Sequence, residues 1–238
     1  MPVYGFTERP PGCRSHRLAL KTPSVVIVEY GLGNLFSVAA ALAKIGATQV
    51  TVSDDKDEIS NADRLIIPGV GAFGDGMENL ERRGLVSTIQ KYAESGRPVL
   101  GVCLGMQLLM TESEEFGQHK GLGLIAGNVT LLDSQGDPNL KIPLIGWNEV
   151  GHPNGDTGTS PSWETSVLSK INPGSFMYFL HSYFVEPANP ETSLAVTPFG
   201  SKTFCSAISQ GSITGVQFHP ERSGEEGLNI YRSFIFEN

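Results

Sequence analysis

From Ser24 onward the chain alternates short apolar, β-branched runs with longer segments of helical period. Ser24 to Glu29 (SVVIVE) is an uninterrupted apolar run of strand length, bounded by the turn Tyr30-Gly31-Leu32-Gly33. An Ala/Leu-rich segment from about Asn34 to Ile45 predicts a helix. The pattern continues with TQVTVS as a strand, RLIIP (Arg64 to Pro68) as a strand, a helix from about Leu85 to Glu94, and RPVLGV (Arg97 to Val102) as a strand. Strands that alternate with helices in this way predict a parallel sheet in an α/β fold.

After about Gly121 the helical period fades. GNVTLL, KIPLIGWNEV, FMYFLHSYFV, TSLAVTPF, FCSAIS and SITGVQF predict a strand-rich region beside the parallel sheet, and a helix from about Gly227 to Phe236 closes the fold. The Gly/Ser/Thr/Pro stretch from Gly151 to Ser162 predicts a mobile loop, and no internal repeat or low-complexity tract is present. Residues 1–23 differ from the rest. They hold Pro2, Pro10 and Pro11, the bases Arg9, Arg14, Arg17 and Lys21, and a single acid, Glu8. Such a segment predicts a disordered extension ahead of one domain spanning 24–238. A basic, acid-poor leader is also compatible with an organelle-targeting peptide, a reading against which its few serines and lack of a clear amphipathic stripe weigh, and it has no secretory h-region.

Composition narrows the partners. A chain of 238 residues with 39% hydrophobic content is long enough for one substantial core. A net charge of −8 gives no basic footprint for nucleic acid or an anionic membrane, and no apolar stretch approaches the roughly 20 residues that span a bilayer. Small polar metabolites and protein partners remain. Three cysteines, Cys13, Cys103 and Cys205, are too few and too scattered for a disulfide framework or a zinc site, which points to a reducing, cytoplasmic compartment and to no metal.

One of those cysteines stands in a chemical context. Gly101-Val102-Cys103-Leu104-Gly105 lies where RPVLGV ends and the helical LGMQLLM begins, the pattern of a nucleophile elbow with sulfur in place of hydroxyl. Flanking glycines permit the sharp turn, the helix start favours a thiolate, and the Leu104 N–H would face a developing oxyanion. A buried structural thiol is the competing reading for any lone cysteine. A thiol nucleophile needs a base, and the base needs an acceptor that fixes its tautomer. Gln217-Phe218-His219-Pro220-Glu221 offers both: in an extended segment residues two apart share a face, so His219 and Glu221 would lie together. His16, His119, His152 and His181 have no carboxylate so placed. Pro68-Gly69-Val70-Gly71-Ala72-Phe73 follows a strand, where a loop faces the ligand crevice of a parallel sheet, and its glycines allow a peptide to reorient and offer a second oxyanion donor. Gly31-Leu32-Gly33 lacks the third spaced glycine of a dinucleotide loop, so no nucleotide cofactor is inferred.

PGVGAF, GVCLGMQ and QFHPERSG, in that order and spacing, resemble the class I (triad) glutamine amidotransferase family from Ser24 to Asn238. Within it, YGLGNLFSV, GWN at Gly146 to Asn148 and HSY at His181 to Tyr183 are similar to the branch of glutaminase subunits of imidazole glycerol phosphate synthase. The resemblance implies a flavodoxin-like, doubly wound, largely parallel sheet with an additional antiparallel portion, and no cofactor. It implies hydrolysis of L-glutamine to glutamate and ammonia through a thioester on Cys103, with His219 and Glu221 completing the triad. Val70, Gly71 and Leu104 would form the oxyanion hole, and Gly69, Gly71, Gln107, Ser182 and Tyr183 would bind substrate. Ammonia would then pass to a (β/α)8 cyclase partner in a heterodimer that makes imidazole glycerol phosphate and an aminoimidazole carboxamide ribotide for histidine biosynthesis. The Gly69-Val70-Gly71 peptide would rest with a carbonyl facing the site and reorient on activation.

Two segments depart from the pattern. Leu144 and Ile145 stand where the family commonly has His-Met, and Glu29 precedes Tyr30-Gly31 where Asp is usual. They leave open a paralogue feeding ammonia to another synthase, such as a sugar amidotransferase. A catalytically silent binding subunit is a third reading, against which the intact Cys103, His219 and Glu221 weigh.

Overall fold

The computed structural model describes residues 22–134, 136–153 and 162–237. The first half runs β1 (Val25–Val28), α1 (Leu35–Lys44), β2 (Val50–Ser53), α2 (Lys56–Asn61), β3 (Arg64–Gly69), α3 (Phe73–Arg82), α4 (Val86–Glu94), β4 (Val99–Cys103) and α5 (Leu104–Leu108). Then follow β5 (Glu112–Ser113), β6 (His119–Lys120), β7 (Gly127–Leu131), β8 (Leu144–Val150), β9 (Ser175–His181), β10 (Tyr183–Pro187), β11 (Ser193–Phe199), β12 (Lys202–Gln210), β13 (Ile213–Val216) and α6 (Gly224–Phe236).

Strands β2, β1, β3, β4 and β13 lie side by side and parallel, the flavodoxin-like order that winds helices onto both faces. Strand pleat decides which side chain goes where. On β1, Val25 and Ile27 pack with α1 and α6 residues such as Val38, Leu42 and Phe234, while Val26 and Val28 pack with Ile59 of α2, Met77 of α3 and Ile89 of α4. Beyond β13 the sheet turns antiparallel through β12, β10 and β7, with β11 also pairing β12. No helix among the described residues is long and apolar enough to cross a membrane.

The structure adds to the sequence reading in three places. Helices α2 and α3 fill the gaps before and after β3. FMYFLHSYFV, read as one strand, divides at Ser182: β9 pairs with β8 in a two-stranded ribbon, whereas β10 joins the main sheet. Side-chain alternation continues through the break, yet Met177 and Phe179 enter one core and Val185 the other, so the chain rotates between sheets there. The extension assigned to residues 1–23 lies outside the described residues as far as 21; Thr22 is tied down by Thr48 Oγ1 at 2.5 Å and by the Gln49 amide. Most of the loop assigned to 151–162 also lies outside the described residues.

Candidate active site

Cys103 ends β4 with φ 54° and ψ −111°, left-handed backbone that a non-glycine residue adopts only where surrounding structure enforces it. The flanking glycines explain the enforcement. Neither has a positive φ; what matters is the missing Cβ. A methyl on Gly101 would meet the Gly105 carbonyl oxygen at 2.7 Å, and one on Gly105 would overlap the Ile67 carbonyl of β3. Helix α5 is therefore folded tightly against β4 and β3. With five residues it is little more than one turn, so what it brings to the strand tip is its first N–H groups, those of Leu104 and Gly105, rather than a long helix's field.

The second strand tip supplies a buried imidazole. After β13 the chain carries Gln217 and His219, whose backbone N–H donates to the Tyr178 carbonyl of β9 at 2.9 Å. His219 Nδ1 lies 2.9 Å from Glu221 Oε1, with both side chains almost wholly buried, and the Tyr231 hydroxyl donates to Glu221 Oε2 at 3.3 Å. The sequence reading put this pair on an extended segment. In fact Pro220–Arg222 forms a 3-10 turn, because the fixed φ of Pro220 suits a first helical position, and the turn rather than the pleat brings Glu221 back beneath His219. Burial alone lowers the His219 pKa, but the neighbouring Cys103 sulfur and the Glu221 carboxylate outweigh it and raise it to about 10. Nε2, the nitrogen left for the thiol, is buried and closes no hydrogen bond.

A cavity of about 220 Å³ opens over the sulfur. Of the residues expected there, Val70, Gly71, Cys103, Leu104, Gln107, Ser182 and Tyr183 line it. Gly69 stands behind the wall, where any side chain would run into the Tyr30 hydroxyl and sit 2.8 Å from Leu104 Cβ; that hydroxyl also donates to the Pro68 carbonyl at 2.6 Å, anchoring the start of the loop. Gly71 has φ +109°, consistent with the freedom expected of it. Gln107 is buried and spends both amide protons inside the protein, on the Tyr183 carbonyl at 2.8 Å and Gln217 Oε1 at 3.1 Å, so it presents only its carbonyl to a ligand.

Sequence reasoning missed Glu115, His181, Leu180 and Gln217. Glu115, on the turn between β5 and β6, caps the Phe73 N–H at 2.7 Å, and burial holds its pKa above the usual carboxylate range despite that bond. It also borders a second cavity of about 510 Å³ lined by Asp75, Glu78, Glu81, His119 and Lys120, with no cysteine, serine or threonine among its lining residues. The Leu180 carbonyl lies 3.9 Å from Cys103 Sγ. Among the described residues no group of three or more His, Cys, Asp or Glu could hold a metal ion.

His181 donates from Nδ1 to the Tyr183 carbonyl at 2.9 Å and leaves Nε2 buried without a partner. Burial lowers its pKa to about 4, with the Tyr183 carbonyl opposing and His219 reinforcing the shift. Between about pH 6.5 and 4 the unfolded chain takes a proton there that the folded chain refuses, so stability falls as pH drops through that window. At pH 5 the loss is about 2 kcal/mol. Melting temperatures at pH 7 and pH 5 should therefore diverge less in His181→Gln than in the wild type; an equal divergence would remove His181 as the cause.

The sequence profile described as "Glutamine amidotransferase class-I" matches residues 26–238. The chain is 45% identical over 214 residues to imidazole glycerol phosphate synthase subunit HisH 1 of Legionella pneumophila (strain Lens), covering 89% of this chain and 98% of that one. To the HisH subunit of Chlorobaculum tepidum it is 46% identical over 211 residues, covering 88% and 98%, and to that of Aquifex aeolicus 43% over 209, covering 88% and 94%. Among solved structures, PurLQS from Thermotoga maritima superposes with a TM-score of 0.65 at 21% identity, over 90% of this chain and 97% of that one, a likeness of fold alone.

Proposed function

Because the chain belongs to the class I glutamine amidotransferase family, we propose that it hydrolyses L-glutamine to L-glutamate and ammonia as the glutaminase subunit of an imidazole glycerol phosphate synthase. The observation that carries this reading is the buried His219–Glu221 pair set beside a strained Cys103 on the floor of an amino-acid-sized cavity. At about 220 Å³ the cavity is smaller than the 300–1,000 Å³ typical for drug-sized ligands.

His219 takes the thiol proton, and Sγ attacks the γ-carboxamide carbon. The oxyanion gathers charge beside the Leu104 N–H and a donor from Val70–Gly71. His219 then gives its proton to the departing nitrogen, leaving a thioester that water hydrolyses with His219 again as base, while Glu221 holds the ring in the tautomer that points Nε2 at sulfur. Glu115 faces the substrate's ammonium, and the Ser182–Tyr183 segment borders its backbone end.

Ammonia needs a consumer. On the outer face of the ribbon, Ile145 pairs with Leu180, Trp147 with Tyr178 and Glu149 with Phe176. Ile145, Trp147 and Phe176 are each more than half exposed, a contiguous apolar patch of the kind that marks an interface. Leu180 belongs both to this patch and to the cavity wall, so a (β/α)8 cyclase seated here, as a heterodimer, would sit directly over the source of ammonia. Of the two departures from the family pattern at this strand, Leu144 packs partly inward and Ile145 faces out, which keeps the patch apolar.

Mixing the protein with a (β/α)8 cyclase and its phosphoribulosyl ligand is expected to raise glutamate release on the order of 10²-fold over the protein alone, the contribution of one oxyanion donor. Equal rates with and without the partner would overturn the coupling. No glutamate under any condition would overturn the glutaminase itself.

A further inference from the structure

Gln217 is wholly buried, and its side-chain nitrogen lies 3.7 Å from the Cys103 sulfur, a contact that no step above uses. Its orientation is fixed from the far end. Oε1 accepts from Gln107 Nε2, and Gln107 is held in turn by the Tyr183 carbonyl. Rotating the Gln217 amide by half a turn would set two NH2 groups against each other and press an oxygen against sulfur, so the network assigns the N–H2 end to Cys103.

Resting on the reading of Cys103 as nucleophile, we propose that Gln217 is a further catalytic residue, an N–H donor that stabilises the Cys103 thiolate. The sulfur carries negative charge twice in the cycle, once before it attacks the carboxamide carbon and again when water expels it from the thioester. Gln217 keeps both its protons throughout; the thiol proton goes to His219. A donor at sulfur therefore favours both charged states over the neutral thiol and the thioester, and a charged acceptor makes such a bond stronger than a neutral one. Gln107, by contrast, is a positioning residue: it reaches the sulfur only through Gln217.

Alkylation of Cys103 by iodoacetamide tests this without glutamine or a partner, so a failed glutaminase assay and a failed inference are separable. Cys103→Ala supplies the background from Cys13 and Cys205. In the full chain, Gln217→Met is expected to lower the rate constant at pH 7 by about 10-fold or more. The deficit should shrink as pH rises until the thiol ionises unaided. Among the described residues His219, Tyr30, Glu115 and Tyr183 across the cavity and, through His219, Glu221 and His181 are the other titratable groups around the sulfur, and all are unchanged in this variant. A wild-type rate in folded Gln217→Met overturns the proposal, as does a deficit equal at every pH, which would mean a displaced sulfur. Gln217→Leu carries the same readout if the Met variant does not fold. In the unaltered protein the Gln217 side-chain amide signal should titrate with the thiol; a signal that stays still while alkylation accelerates also overturns it.

Discussion

Cys103→Ala is expected to abolish glutamine-dependent turnover while a complex with the proposed cyclase continues to work on added ammonium chloride. The change removes one buried sulfur and leaves the β4–α5 turn to the same constraints, since the turn is set by the bare backbones of Gly101 and Gly105. Without the nucleophile no thioester forms, and what remains of the site can only polarise a carboxamide for attack by water. Loss of a nucleophile whose partners act as a unit lowers turnover on the order of 10⁴-fold or more. Glutamate release and ammonia-dependent product formation, measured on the same complex, separate the two functions. Retained glutaminase activity would sink the nucleophile assignment. Loss of both activities would mean that the substitution had damaged the interface instead.

Gly105→Ala should do more harm than any change to a reacting group, because it acts on folding. The added methyl would overlap the Ile67 carbonyl oxygen and lie 2.7 Å from its carbon, and neither belongs to a side chain that can swing away. Relief requires α5 to lift from β3, which pulls Leu104 away from the cavity wall and opens the core around Met106 and Leu108. The expected cost is about 3 kcal/mol or more, at the upper end for overpacking. Gly151→Ala, at a position with open space, is the control and should change little. Thermal unfolding of the two variants decides the point: a Gly105→Ala melting temperature close to wild type would show that α5 is not clamped.

The elbow, the base and the loop over them were legible because each is a local pattern. Gly-x-Cys-x-Gly and His-Pro-Glu lie within a few residues, and alternation of strands and helices gave the parallel half of the sheet. Helix α2 carried its own start signal, Asp55, whose side chain caps the Asp57 and Glu58 N–H groups, but at six residues it is short enough to pass for a turn. Helix α3 places Phe73, Met77 and Leu80 on one stripe, yet Gly74 and Gly76 lower its propensity and Ala72 gives no cap; Glu115, 42 residues away, caps it instead. That bond also brings Glu115 to the cavity, and nothing local announces it. Gln217 could have been found by the same argument that selected Glu221, since it too stands two residues from His219 in a strand-like run. What hid it was chemistry: an amide has no titration to look for. The single run FMYFLHSYFV hid its division because alternation passes unbroken through Ser182.

The β9 strand holds the nucleophile and the base from one side, with the Leu180 carbonyl facing Cys103 Sγ and the Tyr178 carbonyl bonded to the His219 N–H. These two carbonyls are two residues apart on the same strand. The opposite, exposed side of the ribbon carries the apolar side chains of Ile145, Trp147 and Phe176, so one strand is shared between an open surface and the buried sulfur and imidazole. The chain changes sheets at Ser182, which lines the cavity together with Tyr183. The same few residues thus form the back of the Cys103–His219 pair, the wall of the cavity and the edge of the outer face.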